Sequence, residues 1–297
     1  MKQYLELGKH ILENGVEKED RTGTGTLSIF GYILRFRLQD GFPLVTTKDM
    51  SGIRFDGIVE ELLWFLDGDT NIKTLVDKGI NIWNRDAYKN YLQRTREHTP
   101  LTYQQFVEQI KNGELFHQYH GDMGPIYGKQ WRAWDTARGV TVDQIAQTQE
   151  QLRKNPDDRG ILVTAWNPGD LPFMGLRPCH DSHQFYVANN TLSCMLRMRS
   201  SDFFLGLPYN IASYALYTMK MAQSTGFAPG ELIVALGDAH IYNNHIPQVK
   251  ELLTRTPHEL PTVYLNPFIK DIFDFKREDI ELTGYTAHPA LKGEQSF

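Results

Sequence analysis

The chain has 297 residues and a formal net charge of −5, with 41% apolar and 23% charged residues. These proportions are typical of globular proteins and exclude a collagen-like, coiled-coil or disordered chain. No apolar run reaches the ~18 residues of a membrane span, and the N-terminus lacks the apolar core of a signal peptide. We therefore expect a cytoplasmic protein without a basic field for nucleic acid or a membrane surface.

The first half of the chain contains alternating and helical apolar patterns. The alternation of residues 26–37 predicts a strand. Helices are expected at residues 1–14, 54–67, 71–78, 86–94 and 102–112. Residues 86–120 are polar as a whole, which indicates a surface insertion.

The second half alternates strands and helices more regularly. Strands are expected at residues 160–166, 184–188, 192–199, 231–236, 261–265 and 278–283. Helices are expected at 143–154, 208–224 and 246–254. The chain shows no internal repeat, low-complexity tract or linker. We therefore predict a single α+β domain over residues 1–297, built on a large mixed sheet flanked by helices.

Cys179 lies between Pro178 and His180 at the start of an expected strand. A free thiol has a pKa of ~8.5, so a nucleophilic cysteine needs a nearby cation. An inert buried cysteine is one alternative, and a metal site formed with His180 and His183 is another. Cys194 is the second cysteine, and two cysteines are too few for a disulfide framework.

Polar residues also cluster where an expected strand meets an expected helix. The cluster consists of Arg199, Ser200, Asp202 and Asn210 around Gly206. An arginine, a hydroxyl and exposed backbone amides suit an anion such as phosphate. A solvated turn before a core helix is the alternative.

Two further places hold polar groups of uncertain role. His240, Tyr242 and His245 follow an expected strand, where they could bond a sugar hydroxyl or serve as structural groups. Glu61 lies in the apolar run VEELLWF, where an ionised carboxylate is costly to bury. It either faces a polar cleft or points outward beside Glu60.

These residues lie in blocks that resemble the thymidylate synthase family over essentially the whole chain. The blocks are DRTGTGT at 20–26, FPLVTTK at 42–48, EELLWFLDGDTNI at 60–72, GPIYGKQWR at 124–132, AWNPGDL at 165–171, PCH at 178–180, QFYV at 184–187, RSSDFFLGLPYNIASYAL at 199–216 and GDAHIYNNH at 237–245. The resemblance implies a homodimer with stacked sheets, deoxyuridylate (dUMP) as substrate, 5,10-methylenetetrahydrofolate as co-substrate and no metal.

The resemblance also implies catalytic roles. Cys179 matches the nucleophile that adds to C6 of the pyrimidine, and Arg199 matches the arginine that stabilises the thiolate and the substrate phosphate. The water-ordering and proton-transfer network is matched by Glu61, Tyr127, His180 and Asn210. Within it, Tyr127 corresponds to the residue implicated in removing the C5 proton.

Binding roles follow in the same way. Asn210 matches the amide that reads uracil, where relatives acting on deoxycytidylate carry aspartate, and Arg159 matches an arginine donated to the partner subunit's phosphate site. The substrate ligands implied are Arg21, Arg159, Arg199, Ser200, Asp202, Asn210, and His240 and Tyr242 for the sugar 3′-hydroxyl. The folate ligands implied are Lys48, Ile82, Trp83, Asp202, Gly206 and Phe297.

Several positions depart from the synthase pattern. They are Met198 in place of glutamine, Gly160 in place of a second arginine, Asp49 in a longer loop, Asp86 in place of a tryptophan, and the polar C-terminus GEQSF. Met-Arg-Ser and Arg-Gly resemble the phage-type deoxyuridylate hydroxymethylase branch, and a polar tail admits water. The expected product is therefore 5-hydroxymethyl-dUMP, with thymidylate as the alternative. A CMP or dCMP hydroxymethylase and a non-catalytic RNA-binding paralogue are less favoured.

Overall fold

The computed structural model describes residues 1–20, 23–95 and 99–295. The chain forms two compact units. The first contains Met1–Gly52, Gln149–Leu162 and the chain from Cys179 onward, and the second contains Ile53–Thr148 and Val163–Pro178. Neither unit is a continuous stretch of sequence. The prediction of one domain over residues 1–297 stays a prediction.

The strands are β1 (Val16–Lys18), β2 (Thr26–Arg37), β3 (Trp134–Asp135), β4 (Thr141–Val142), β5 (Leu162–Thr164), β6 (His180–Ala188), β7 (Thr191–Asp202), β8 (Ala228–Tyr242), β9 (Thr262–Leu265) and β10 (Ile280–Thr283). The helices are α1 (Lys2–Asn14), α2 (Ile53–Leu66), α3 (Lys73–Asp77), α4 (Asn84–Arg94), α5 (Tyr103–Asn112), α6 (Phe116–His120), α7 (Tyr127–Arg132), α8 (Gln144–Lys154), α9 (Gly206–Thr225) and α10 (Ile246–Thr254).

The first unit contains a large mixed sheet. Its strands have the order β1-β2-β8-β7-β6, and β5, which begins at Leu162 of the same unit, continues the sheet beyond β6. β8 runs antiparallel to β2 and parallel to β7, and β7 runs antiparallel to β6. α1 and α9 pack against this sheet. The predicted α+β fold with a mixed sheet flanked by helices is confirmed.

The inner face of the sheet forms the core of this unit. Alternate residues of β7 from Leu192 to Met198 are buried, as the period-two geometry of a strand requires. α9 is buried almost all round and begins at Gly206, earlier than the predicted 208. It ends before Gly226, whose φ of 84° is a left-handed conformation that glycine adopts without strain.

Two strands are longer than the sequence predicts. β8 extends from the predicted 231–236 as far as Tyr242, because β2 and β7 flank it and pair with its last residues. Thr26 lies opposite Tyr242, and Asp202 lies opposite His240. His240 and Tyr242 therefore lie within a strand and not after one. β6 likewise begins at His180, before the predicted 184.

The second unit is mainly helical. Its α2 is almost entirely buried from Phe55 to Leu66. The predicted insertion at 86–120 contains α5 and α6, together with most of α4, and its aromatic side chains pack together. The ring of Phe106 lies 5.3 Å from that of Tyr91 and 5.8 Å from that of Phe116. None of the helices among the described residues is long and apolar enough to cross a membrane. The cytoplasmic location stays a prediction.

Candidate active site

Cys179 immediately precedes β6 and faces an arginine of β7. The Nη2 atom of Arg199 lies 3.9 Å from Sγ of Cys179, and the backbone N–H of Arg199 donates to the carbonyl of Cys179 at 2.9 Å. The thiol is partly exposed. A fixed positive charge at this distance favours the thiolate, which is the reactive form. In the sequence only the family resemblance indicated that these two side chains meet, because 20 residues separate them and no local pattern links them.

Cys194 has a different environment. It is fully buried in β7, and this desolvation raises the pKa of its thiol to about 12. The thiol therefore stays protonated and unreactive at neutral pH. Cys194 is therefore a core residue.

The two histidines after Cys179 point toward tyrosines of α9. Nδ1 of His180 lies 2.9 Å from the hydroxyl of Tyr214, and Nε2 of His183 lies 3.2 Å from the hydroxyl of Tyr217. Burial lowers the pKa of each imidazole to about 3, so both are neutral over the physiological range. Among the described residues, no group of three or more His, Cys, Asp or Glu side chains could hold a metal ion.

The turn between β7 and α9 is organised by Asp202. Its Oδ1 accepts from the backbone amides of Phe204 at 2.9 Å and Leu205 at 3.3 Å. A Cβ added to Gly206 would lie 3.8 Å from Oδ1 of Asn210, in ordinary contact, so sterics alone do not demand glycine there. Asn210 is the fifth residue of α9 and is partly exposed.

His240 and Tyr242 lie on the same face of β8, with their rings 5.2 Å apart. Nδ1 of His240 lies 3.1 Å from Oδ1 of Asp238, and that oxygen also accepts from the hydroxyl of Ser28 at 2.8 Å. Sequence reasoning did not select Asp238 or Ser28. Asp238 precedes His240 by two residues, which places both on one face only because β8 extends to Tyr242.

Two of the predicted site residues, Lys48 and Arg159, are basic and lie in different environments. Lys48 is buried. Its ammonium group donates to the backbone carbonyl of Phe204 and lies 4.2 Å from the centre of the Phe204 ring. Its predicted role beside the folate tail stays a prediction. Arg159 is exposed, and its carbonyl accepts from Nε2 of Gln184 at 2.9 Å. Arg21 and Phe297, also predicted site residues, lie outside the described residues.

The second unit holds the remaining predicted residues. Glu61 is 8% exposed, so it does not point outward, and Nε1 of Trp83 donates to its Oε1 at 2.7 Å. Desolvation raises the pKa of Glu61 to about 7, although the bond from Trp83 lowers it. The ring of Tyr127 lies 6.1 Å from that of Trp83. Ile82, the residue before Trp83, is partly exposed. An acid of this pKa is suited to proton transfer near neutrality.

Comparison with known proteins identifies the family of the chain. The family model described as "Thymidylate synthase" matches residues 2–297. Thymidylate synthase of Listeria monocytogenes serotype 4a (strain HCC23) is 49% identical over 312 residues, covering 98% of each chain. Thymidylate synthase of Listeria innocua serovar 6a is also 49% identical, with the same coverage. From its fold, its cysteine–arginine pair and this similarity, the chain belongs to the thymidylate synthase family.

Proposed function

We propose that this chain is a thymidylate synthase, which converts dUMP and 5,10-methylenetetrahydrofolate into thymidylate and dihydrofolate. As a member of its family it is a folate-dependent one-carbon transferase with methylenetetrahydrofolate as co-substrate. The observation that carries the proposal is the partly exposed thiol of Cys179 within 3.9 Å of the guanidinium of Arg199. This pair is the unit that nucleophilic attack on a pyrimidine requires.

The chemistry begins at Cys179. Its thiolate forms a bond to C6 of uracil, the C5–C6 π bond breaks, and the electron pair moves onto C5 and O4. Methylenetetrahydrofolate supplies the one-carbon unit that C5 attacks and, in a synthase, the hydride that completes the methyl group. Arg199 stabilises the thiolate of Cys179 before the attack and again after the C6–S bond breaks.

We assign proton transfer to the group around Glu61. A carboxyl with a pKa of about 7 can both give and take a proton at neutral pH. The bond from Trp83 fixes the orientation of this carboxyl. Tyr127, which is 2% exposed and whose ring lies 6.1 Å from that of Trp83, is proposed to assist the removal of the C5 proton by hydrogen bonding through its hydroxyl. His180, which lies in the first unit, is neutral and is proposed to act as a hydrogen-bonding group rather than as a cation.

The residues proposed for folate are chemically suited to a pterin. Asp202 offers a partly exposed carboxylate, which is an acceptor for pterin N–H groups. Ile82 offers a partly exposed apolar side chain and Trp83 an indole. These residues bind and orient the co-substrate in the proposed reaction, and Asn210 reads the uracil edge by donating to O4 and accepting from N3–H.

We further propose a homodimer formed through the outer face of the sheet. Ile33 of β2, Met195 of β7 and Tyr186 of β6 share this face and are 61%, 43% and 67% exposed. Apolar patches of this kind mark protein interfaces, and a two-fold axis would pair the patch with itself. The bond between Gln184 and Arg159 holds Arg159 near the β6 edge of the face, a suitable position for reaching the partner subunit's phosphate site.

The departures in the sequence and the named relatives favour different products. The relatives named above are thymidylate synthases, so they do not support the predicted phage-type hydroxymethylase. Hydroxymethylation remains the second candidate because the tail is polar. The backbone carbonyl of Glu294 accepts from Asn244 at 3.2 Å and lies 2.7 Å from Nε2 of His245. Met198, by contrast, is buried in the core, where it adds no polar group.

The experiment is to incubate the protein with dUMP and methylenetetrahydrofolate and to identify both products by mass spectrometry. Thymidylate with an equal amount of dihydrofolate is the expected result. Formation of 5-hydroxymethyl-dUMP with tetrahydrofolate would overturn the synthase assignment while retaining the family chemistry. Turnover of neither dUMP, CMP nor dCMP would contradict both candidates and favour a non-catalytic paralogue.

A further inference from the structure

We propose that Asp238 is a positioning residue that holds His240 in a single tautomer, with Nε2 as a hydrogen-bond acceptor for the sugar 3′-hydroxyl of the substrate. This inference rests on the proposed function, because it takes His240 as a ligand of a deoxyribose. It adds a residue that does not itself touch the nucleotide. Its consequence is discrimination in favour of nucleotides that carry a 3′-hydroxyl.

The carboxylate of Asp238 is held from three directions. Oδ1 accepts from the hydroxyl of Ser28 at 2.8 Å and lies 3.1 Å from Nδ1 of His240. Oδ2 accepts from the ammonium of Lys18 at 2.6 Å. These bonds, that from His240 first, hold the pKa of Asp238 well below its usual range, although partial burial opposes them. The carboxylate is therefore ionised throughout the working pH range and can only accept hydrogen bonds.

An acceptor-only neighbour decides where the imidazole proton lies. A neutral imidazole carries one N–H and one acceptor nitrogen, and the atom facing a carboxylate must be the donor. In the neutral imidazole of His240, Nδ1 consequently carries the proton, and Nε2 presents its lone pair. A sugar hydroxyl can donate to that lone pair, whereas a 3′-deoxy carbon cannot.

The backbone fixes the positions from which these side chains act. Asp238 and His240 are two residues apart on β8, so both point to one face of the strand. Ser28 lies directly opposite His240 on the antiparallel strand β2. On the other side, Ser200 of the parallel strand β7 lies opposite Asp238. The backbone of Asp238, His240 and Ser28 is thus held in place by the pairing of the central strands.

The first test compares the dissociation constants of dUMP and 2′,3′-dideoxyuridylate by calorimetry. We expect the wild type to prefer dUMP by about tenfold or more. Asp238→Asn keeps the shape of the side chain but can also donate, so this preference should fall to about threefold or less. Glu231→Gln is the matched control, since Glu231 lies on the same strand and pairs with exposed Arg35 at 3.2 Å. It should retain the full preference.

A double-mutant cycle separates positioning from a general structural role. In the His240→Gln background, Asp238→Asn should change the dissociation constant of dUMP by less than about twofold, because its effect passes through the imidazole. Lys18→Met, at a side chain that is about half exposed, provides a second variant if Asp238→Asn fails to fold. Lys18→Met should also reduce the preference for dUMP, but by less than Asp238→Asn does. Full wild-type preference in both Asp238→Asn and Lys18→Met would overturn the proposal.

A spectroscopic measurement tests the tautomer without any substrate. Nitrogen-15 NMR of the histidine-labelled protein should show protonated Nδ1 and unprotonated Nε2 for His240, assigned by the signals lost in His240→Gln. Asp238→Asn should give a mixture of tautomers. Protonated Nε2 in the wild type would refute the proposal even if dUMP binds. Failure of the wild type to bind dUMP would instead refute the proposed function, and the tautomer would still be decided.

Discussion

Arg199 is joined to Cys179 twice, through its side chain at 3.9 Å from the sulfur and through its backbone amide at 2.9 Å from the carbonyl. The backbone bond fixes the separation of the two residues, so the guanidinium does not depend on a flexible side chain alone to stay near the thiol. A charged group held in advance costs no reorganisation when the reaction begins. This relationship makes specific predictions about the reactivity of the thiol.

Replacing Arg199 with methionine should slow alkylation of Cys179. The variant keeps most of the side-chain volume but removes the charge that favours the thiolate, so reaction with iodoacetamide at pH 7 should be about tenfold slower. The rate is measured by mass spectrometry of the modified peptide. Arg37→Met is the control, because Arg37 is exposed and pairs with Asp40 at the far end of β2. Equal rates in all three proteins would contradict the role of Arg199.

Cys179→Ser should abolish turnover and leave dUMP binding measurable. A serine hydroxyl is far less ionised than a thiol at neutral pH, so the attack on C6 fails while the phosphate and sugar contacts remain. Turnover is followed by product mass and binding by calorimetry. Cys194→Ala should remain active, since Cys194 is buried in the core. An active serine variant would disprove the assignment of the nucleophile.

Asn210→Asp should shift the preference from uracil toward cytosine. An ionised aspartate only accepts hydrogen bonds, so it repels O4 of uracil and suits the amino group of cytosine. Since a mispaired buried polar group costs about 1–3 kcal/mol, the ratio of kcat/KM for dUMP over dCMP should fall by about tenfold or more. An unchanged ratio would exclude Asn210 from reading the base.

Glu61→Gln should alter the pH dependence of stability. The folded protein holds the proton of Glu61 up to about pH 7, whereas an unfolded chain releases it near the ordinary pKa of 4.5. The wild type therefore loses stability as pH rises through this window. The variant should be more stable at pH 8, by up to about 3 kcal/mol, and equally stable at pH 4. Urea unfolding at both pH values measures this difference. A variant less stable than the wild type at pH 8 would contradict the conclusion that ionised Glu61 is destabilising in its buried position.

His183→Phe should make the protein more resistant to acid. Burial lowers the pKa of His183 from 6.5 to about 3, so the unfolded chain binds a proton that the folded one does not, and stability falls as pH falls from 6.5 toward 3. Phenylalanine retains the aromatic packing against Tyr217 and removes this proton uptake. The midpoint of acid unfolding, followed by circular dichroism, should move to lower pH. A midpoint at higher pH would indicate that the bond to Tyr217 contributes more than the titration removes.

Local patterns predicted the elements that local patterns control. The strand β2 spans the predicted 26–37, and α10 spans the predicted 246–254. Their alternating and helical apolar spacings leave one face buried, which is a property of each segment by itself. The end of β8 could not be predicted in this way, because residues 237–240 (GDAH) are polar or small and interrupt the apolar alternation. They are held in a strand by pairing with β2 and β7.

The sequence by itself determined the fold class and the family blocks, and it supplied the candidates for the reactive groups, because these depend on residue type and spacing. Only the tertiary structure decided which of these groups are buried and what they contact. It separated the partly exposed Cys179 from the buried Cys194, turned Glu61 inward to Trp83, and brought Asp238 between Lys18, Ser28 and His240. Ionisation and hydrogen bonding depend on such neighbours, and strand pairing brings them together from distant parts of the chain.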